Sequence, residues 1–370
     1  MKQFFFNLLL FFTIGAMQAQ KNKLNLIVGT YTKPCDSKGI YVYEFDSKTG
    51  NFSLKSNTEN ILNPSYLTIS ADNKFVYSVS ENDKKSSVSA FGFNSKSGKL
   101  NFINYQNPNG LNPCYIINDE KNVITANYSS GNISVLGKNI DGSIGEVKQV
   151  VQHTGKSINT KRQDAPHAHM VYFSPDKKYV LANDLGTDKI YLYQYNPNLA
   201  SEVLTLKSSI DVKPGSGPRH LIFSKNGKQV YLLQELDGTV TSFSYVNGIL
   251  NKLSEISVVP PDFKGDISAA DIHISPDGKF LYASNRGTAN DISAFKILKN
   301  GRLQFVERMS TLGKGPRNFN IDPTGNFLLV GHQYTNTIVI FKRDKKSGML
   351  TDTGKKIDLC SPVCLVFTKI

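Results

Sequence analysis

Arg219 and Arg317 each follow a Gly-Pro pair, Arg286 follows Ser-Asn, and Glu235 lies in Leu-Gln-Glu-Leu. Two histidines, His167 and His169, share the stretch Pro-His-Ala-His. A guanidinium fork can hold a carboxylate or phosphate through two parallel hydrogen bonds, and it can stabilise an oxyanion. A histidine or carboxylate whose pKa lies near the working pH can activate water. These residue types suit hydrolysis by activated water, with Glu235 or a histidine of Pro166–His169 as base and Arg317 anchoring an acidic group. A covalent route is less suited. No Gly-x-Ser-x-Gly elbow occurs where a strand would meet a helix, and no glycine-rich phosphate loop is present.

Such residues matter only if the chain gathers them. The stretch Gly217–Asp237 (GPRHLIFSKNGKQVYLLQELD) has kin at Asn63–Asp83, Asn112–Tyr128, Pro166–Gly186, Ala269–Gly287 and Gly315–Gln333, and a truncated copy closes the chain. The copies recur about every 50 residues, the spacing of propellers and solenoids. Each reads as strand, tight turn, strand, with turn formers such as Lys225-Asn-Gly227 and Pro276-Asp-Gly278 between apolar runs. Two more β-rich runs follow each copy, giving the four strands of one blade. Leu24–Thr32 and Gly39–Asp46 match the second and third strands of a blade whose first strand is missing, and Pro362–Lys369 supplies it. The expectation is an all-β, seven-bladed β-propeller of four-stranded antiparallel blades. Its ring is closed by the C-terminal strand joining the N-terminal ones, which removes exposed sheet edges.

On that frame the innermost strand begins where the next, antiparallel strand ends, so both positions share one rim. The column aligned with Arg219 reads Ser65, Cys114, His169, Arg219, Ala270, Arg317 and Val363. The column aligned with Glu235 reads Tyr31, Glu81, Tyr128, Leu185, Glu235, Arg286 and Gln333. Beside it run Thr30, Ser80, Asn127, Asp184, Gln234, Asn285 and His332. Polar variety at a shared register points to a site rather than a fold requirement. The expected catalytic set is His167, His169, Arg219, Glu235 and Arg286. Arg317, Asp184, His332, Glu81 and Tyr31 are the expected substrate-binding residues. Plainer roles exist for some of them. Arg219 and Arg317 could cap carbonyls of neighbouring blades, and Asp184 before Leu-Gly could be a turn acid. His220 and His273 read as core histidines, and His153 as a solvated residue of the polar insertion Gln152–Ala165, which should overhang the mouth.

Composition agrees with a β-rich body: 39% hydrophobic residues, 17 Tyr and 22 Phe in 370 residues, with no Trp for a WD signature. The net charge is +13, but the lysines are scattered over turns such as Lys84–Lys85 and Lys345–Lys346. That pattern reads as a solvated surface, not a nucleic-acid stripe. Met1–Gln20 pairs Lys2 with the apolar run Phe4–Ile14 and ends in Ala16-Met-Gln-Ala19. It reads as a secretory signal over residues 1–19, leaving one propeller domain over 20–370, secreted into a periplasm. The apolar run is too short for a comfortable membrane span. Cys114 and Cys364 lie inside apolar strand patterns, whereas a Cys35–Cys360 bridge is possible without being deducible. No metal or other cofactor is expected.

At Val28-Gly-Thr-Tyr-Thr32, Ala126-Asn-Tyr128, Pro166-His-Ala-His169 with Asn183-Asp-Leu-Gly186, Gly217-Pro-Arg-His220 with Glu235-Leu236, Ser284-Asn-Arg-Gly287 and Gly315-Pro-Arg317, the chain resembles the seven-bladed lactonase family. Its members include propeller-type 6-phosphogluconolactonase and the fungal carboxy-muconate lactonizing enzyme. It departs from the usual family pattern at Gln234-Glu235 and at Gly331-His332. The resemblance implies metal-free chemistry at the channel mouth carried by His167 or His169, Arg219, Glu235 and Arg286. The expected partner is a small anionic lactone, acted on by a monomer. A non-catalytic propeller that binds a glycan or protein, and a lactonizing isomerase of a dicarboxylate, are the other readings.

Overall fold

The computed structural model describes residues 22–370, so the expected leader lies outside the described residues. Seven four-stranded antiparallel sheets follow one another. Six are built from consecutive strands, and the seventh takes its innermost strand, Pro362–Lys369, from the far end of the chain. That strand pairs antiparallel with Lys23–Thr30 from Leu24↔Lys369 to Thr30↔Pro362. Ring closure by shared termini therefore follows the expectation. The innermost strands of the other blades are Leu67–Ile69, Pro113–Asn118, Ala168–Phe173, Pro218–Phe223, Ala269–Ile274 and Pro316–Ile321. Only one short helical turn, Asp83–Lys85, occurs among the described residues.

Packing explains the nearly unbroken apolar runs. Inner strands are covered on both faces by the neighbouring blades, so clusters such as Leu26, Val28, Leu329, Ile338 and Leu365 span blade boundaries. Val230, Leu232 and Leu221 join Val171, Leu181 and Ile190 in the same way. The turns between first and second strands are fixed by a repeated side-chain bond. Ser174 Oγ donates to Asp176 at 2.6 Å, Ser224 Oγ to Asn226 at 2.8 Å, and Ser275 Oγ to Asp277 at 2.6 Å. Gly227 and Gly278 follow in these turns with φ of 71° and 74°, which is why glycine stands there. None of the helical structure among the described residues is long and apolar enough to cross a membrane.

Candidate active site

The rim is built by one device repeated around the ring. At the start of six inner strands the pairing register slips by a residue: Pro113↔Asn127 is followed by Tyr115↔Ala126, Pro218↔Gln234 by His220↔Leu233, and Pro316↔His332 by Asn318↔Gly331. The same slip brackets His169, the Ala270–Asp271 pair and Val363. A bulge of this kind re-aims the extra side chain. The bulged residues are Cys114, His169, Arg219, Ala270, Arg317 and Val363, the first column of the sequence.

The second column is pinned to the first by its backbone. The amide of Glu235 donates to the Gly217 carbonyl at 2.7 Å, that of Gln333 to Gly315 at 2.9 Å, and that of Arg286 to Ser268 at 3.0 Å. The amides of Tyr31, Glu81, Tyr128 and Leu185 do the same to Ser361, Asn63, Asn112 and His167. Both columns thus converge on a cavity of about 280 Å³, bordered by Tyr31, Glu81, Cys114, Tyr128, His169, Glu235, Arg286 and Arg317. Every blade contributes to it. A larger groove of about 750 Å³ lies along Leu62, Lys84, Lys85, Phe102 and Tyr105, and none of the expected site residues borders it.

Glu235 is the electrostatic centre of this mouth. Its Oε2 accepts from Arg219 Nε at 2.9 Å and its Oε1 from Arg162 Nη2 at 2.7 Å. Arg286 Nη2 lies 3.2 Å from Oε2 without the alignment of a hydrogen bond, and this buried donor has no other partner. Burial alone would raise the Glu235 pKa, but Arg286, Arg219 and Arg162 outweigh it and bring it down to about 2. Burial has the same sign of cost for the arginines. It lowers Arg219, and it lowers Arg286 to about 10 despite the pull of Glu235, so both stay charged at neutral pH. A carboxylate held this low is a poor base near neutrality. Glu235 is instead the counter-ion that holds three guanidiniums in place.

Arg219 is 1% exposed and does two things at once. Besides Glu235 it donates from Nη1 to the Ala270 carbonyl of the next blade and to His220 Nε2, the latter at 3.3 Å. Because arginine only donates, His220 is the tautomer whose Nδ1 donates to Asp271 Oδ1 at 2.8 Å. Burial, then Arg219, lowers the His220 pKa to about 4 and keeps it neutral, against the pull of Asp271. The other Asp271 oxygen accepts from Asn318 at 2.6 Å and from His273 at 3.0 Å. A continuous polar chain therefore runs from the mouth down the inner strands. His220, 3% exposed, partnered at both ring nitrogens and packed against Tyr66 and Tyr115, is the satisfied core histidine expected of it.

Arg317 differs from the other arginines. Its guanidinium stands over the Tyr31 ring at 5.5 Å and makes no hydrogen bond or ion pair with any described residue. Tyr31 and Glu81 raise its pKa against burial, so it is a fixed cation with open donors at the cavity. Tyr31 donates its hydroxyl to both Glu81 oxygens at 3.1 and 3.0 Å, and Ser65 Oγ donates to Glu81 Oε1. His169 is 4% exposed. Burial, then Arg219, His220, Arg317 and Arg286, push its pKa far below the usual histidine range.

Four expected residues do not border the cavity: Arg219, which lies behind Glu235, and three that lie elsewhere. His167 stacks on the Tyr128 ring at 4.5 Å and donates Nδ1–H to the Tyr128 carbonyl at 3.0 Å, so it does not border the cavity. Asp184 is wholly buried: Oδ1 accepts the backbone amides of His167, Gly186 and Thr187, and Oδ2 accepts His153 Nδ1 at 2.6 Å. It is a turn acid. His332 is also wholly buried, with Nδ1 3.3 Å from Thr337 Oγ1. Both belong to the third column, whose members bond within and just beside their own blades, because adjacent strand residues point to opposite faces. His153, expected in solvent, is buried against Tyr191 and accepts the Tyr193 hydroxyl at 2.9 Å. Arg162 was the residue missed. The overhanging insertion was evident, but nothing in its composition said which side chain would reach Glu235 and the Tyr128 hydroxyl. Cys35 and Cys360 form a disulfide across a Cα separation of 6.0 Å, next to Tyr31.

Comparison with known proteins places this geometry in a lineage. Residues 25–367 match the family described as lactonase, 7-bladed beta-propeller. A 6-phosphogluconolactonase of Bacillus subtilis is 37% identical over 345 residues, covering 92% of this chain and 97% of the relative. A candidate 6-phosphogluconolactonase from Bacteroides fragilis superposes with a TM-score of 0.90 at 44% identity, covering 94% of this chain and 98% of the other. The periplasmic gluconolactonase of Pseudomonas aeruginosa gives 0.89 at 35% identity, covering 93% and 99%. The chain belongs to the seven-bladed β-propeller lactonase family.

Proposed function

We propose that this lactonase opens a sugar-type lactone bearing an anionic group to the open-chain acid, by water attack at the propeller mouth. The observation that carries the reading is a pair of open donors: Arg286 Nη2, 3.2 Å from Glu235 Oε2, and the Arg317 guanidinium make no hydrogen bond among the described residues, and both residues border one small cavity. Arg317 takes the anionic group of the substrate. Arg286 faces the carbonyl oxygen, whose charge grows as water adds and is stabilised by a donor already in place. Glu235 holds Arg286, Arg219 and Arg162 so that none need reorganise when charge develops. The water oxygen bonds to the carbonyl carbon, the ring C–O bond breaks, and the released alkoxide takes up a proton. The relatives named 6-phosphogluconolactonase support this class of substrate.

The same reading includes secretion. It rests on the leader pattern of residues 1–19 and on the Cys35–Cys360 disulfide, which belongs to an oxidising compartment. A pH-stat assay over paired anionic and neutral lactones, with and without chelator, tests the activity. Acid release that favours the anionic member and is unchanged by chelator is expected. No acid release from any member would refute the reading.

A further inference from the structure

The mouth holds more proton acceptors than the reaction needs, and their surroundings separate them. Glu235 is ion-paired or in contact with three arginines, and taking a proton would dismantle that arrangement. His169 sits among Arg219, Arg317 and Arg286, so accepting a proton would add a fourth positive charge to a buried cluster. Tyr31, Tyr128 and Cys114 are held protonated by burial. Glu81 is different in kind. It borders the same cavity, and among the described residues it forms no ion pair and its oxygens accept only the Tyr31 and Ser65 hydroxyls. Its amide donates to the Asn63 carbonyl and its own carbonyl accepts from Asn63 Nδ2 at 2.8 Å, so its backbone is held on both sides.

We propose that Glu81 is the catalytic base, bordering the same cavity as the Arg286 and Arg317 cations, so that it draws the proton from the attacking water. This assignment rests on the lactone-hydrolase reading above. Glu81 accepts a proton as the water oxygen bonds to the lactone carbonyl carbon, and the electron pair displaced from the C=O bond forms an oxyanion at Arg286. When the oxyanion re-forms the C=O bond and the ring C–O bond breaks, the departing alkoxide takes that proton from Glu81, and the product carboxylic acid, still carrying the second water proton, loses it to solvent, leaving Glu81 ready for another turn. The groups facing Glu81 are Tyr31 and Ser65 as hydrogen-bond donors, with Cys114 and the Arg317 cation nearby. Arg317 thus sets the anionic substrate within reach of the base through the ring of Tyr31, on which it stacks.

The test compares wild type, Glu81→Gln and Tyr31→Phe on one anionic lactone over a range of pH, with thermal unfolding followed alongside. Glu81→Gln should lower kcat by about 100-fold or more with KM within about threefold, and its residual rate should climb with hydroxide concentration. Tyr31→Phe keeps the ring under Arg317 but removes the hydroxyl bonded to both Glu81 oxygens, so kcat should fall by about 5–20-fold with KM little changed. This second variant serves even if Glu81→Gln fails to fold. Unaltered kcat in Glu81→Gln, or in Tyr31→Phe, overturns the assignment while leaving the lactonase reading intact. A wild-type protein that turns over no lactone overturns both.

Discussion

Glu235→Gln keeps the shape of the side chain and removes the one negative charge that Arg162, Arg219 and Arg286 share. The ordinary glutamate value of 4.5 falls to about 2 in the folded protein. Because the folded pKa is the lower one, the contribution to stability is complete above the unfolded value. It is then lost as pH falls through 4.5 toward 2. A difference of that size is worth about 3 kcal/mol at pH 7, at 1.36 kcal/mol per unit. The side chain is only 5% exposed, so solvent screening takes little from it. With about 2.1 cal/mol/K of unfolding entropy per residue, a chain of this length should melt on the order of 4 °C lower. By pH 3 the deficit should shrink to about 1 kcal/mol, because wild-type Glu235 then protonates on unfolding. Thermal and urea unfolding of the two proteins at pH 7 and pH 3 read this directly. Equal melting at pH 7, or a deficit that is the same at both pH values, would refute the account of Glu235 as counter-ion.

Other consequences can be checked independently. Burial lifts the Asp291 pKa to about 6, with Arg308 at 3.7 Å and Oδ1 without a partner. A raised carboxylate favours folding below 3.8 and loses that advantage as pH rises through 6, so Asp291→Asn should be stabilising by about 1–3 kcal/mol at pH 8 and neutral at pH 4. Denaturant midpoints at the two pH values decide it. The Cys35–Cys360 bridge joins points 325 residues apart. Cys360→Ser should cost about 2–5 kcal/mol, and reductant should bring the wild type down to the same melting temperature. His153→Ala leaves Asp184 Oδ2 buried without its donor, for a loss of about 1–3 kcal/mol in unfolding assays and no change in kcat.

Much of the ring was legible because closure leaves a signature in the chain. A blade lacking its first strand stands at one end, and a lone strand, Pro362–Lys369, stands at the other. The columns of Arg219 and Glu235 were legible for the same reason: repeats align, and only a site needs their polar variety. The bulge that aims His169, Arg219 and Arg317 was not legible, since a register slip exists only between paired strands. Pooling Asp184 and His332 with the site overlooked strand alternation, which sends neighbours of Leu185 and Gln333 away from the mouth. His153 and Arg162 depend on where a long insertion folds back. Their partners, Tyr193 and Glu235, are 40 and 73 residues away.

The central claim is that an open arginine fork at the propeller mouth receives the anionic group of a lactone. The measurement that reaches it most directly is kcat/KM for a phosphorylated sugar lactone and its unphosphorylated counterpart, in wild type and in Arg317→Ala. Arg317 makes no hydrogen bond with any described residue and loses only its contact with the Tyr31 ring and the attraction of Glu81, so the variant should still fold. The account predicts a loss of about 10–100-fold on the phosphorylated lactone and less than about threefold on the neutral one. Equal losses on both, or none on either, would contradict it.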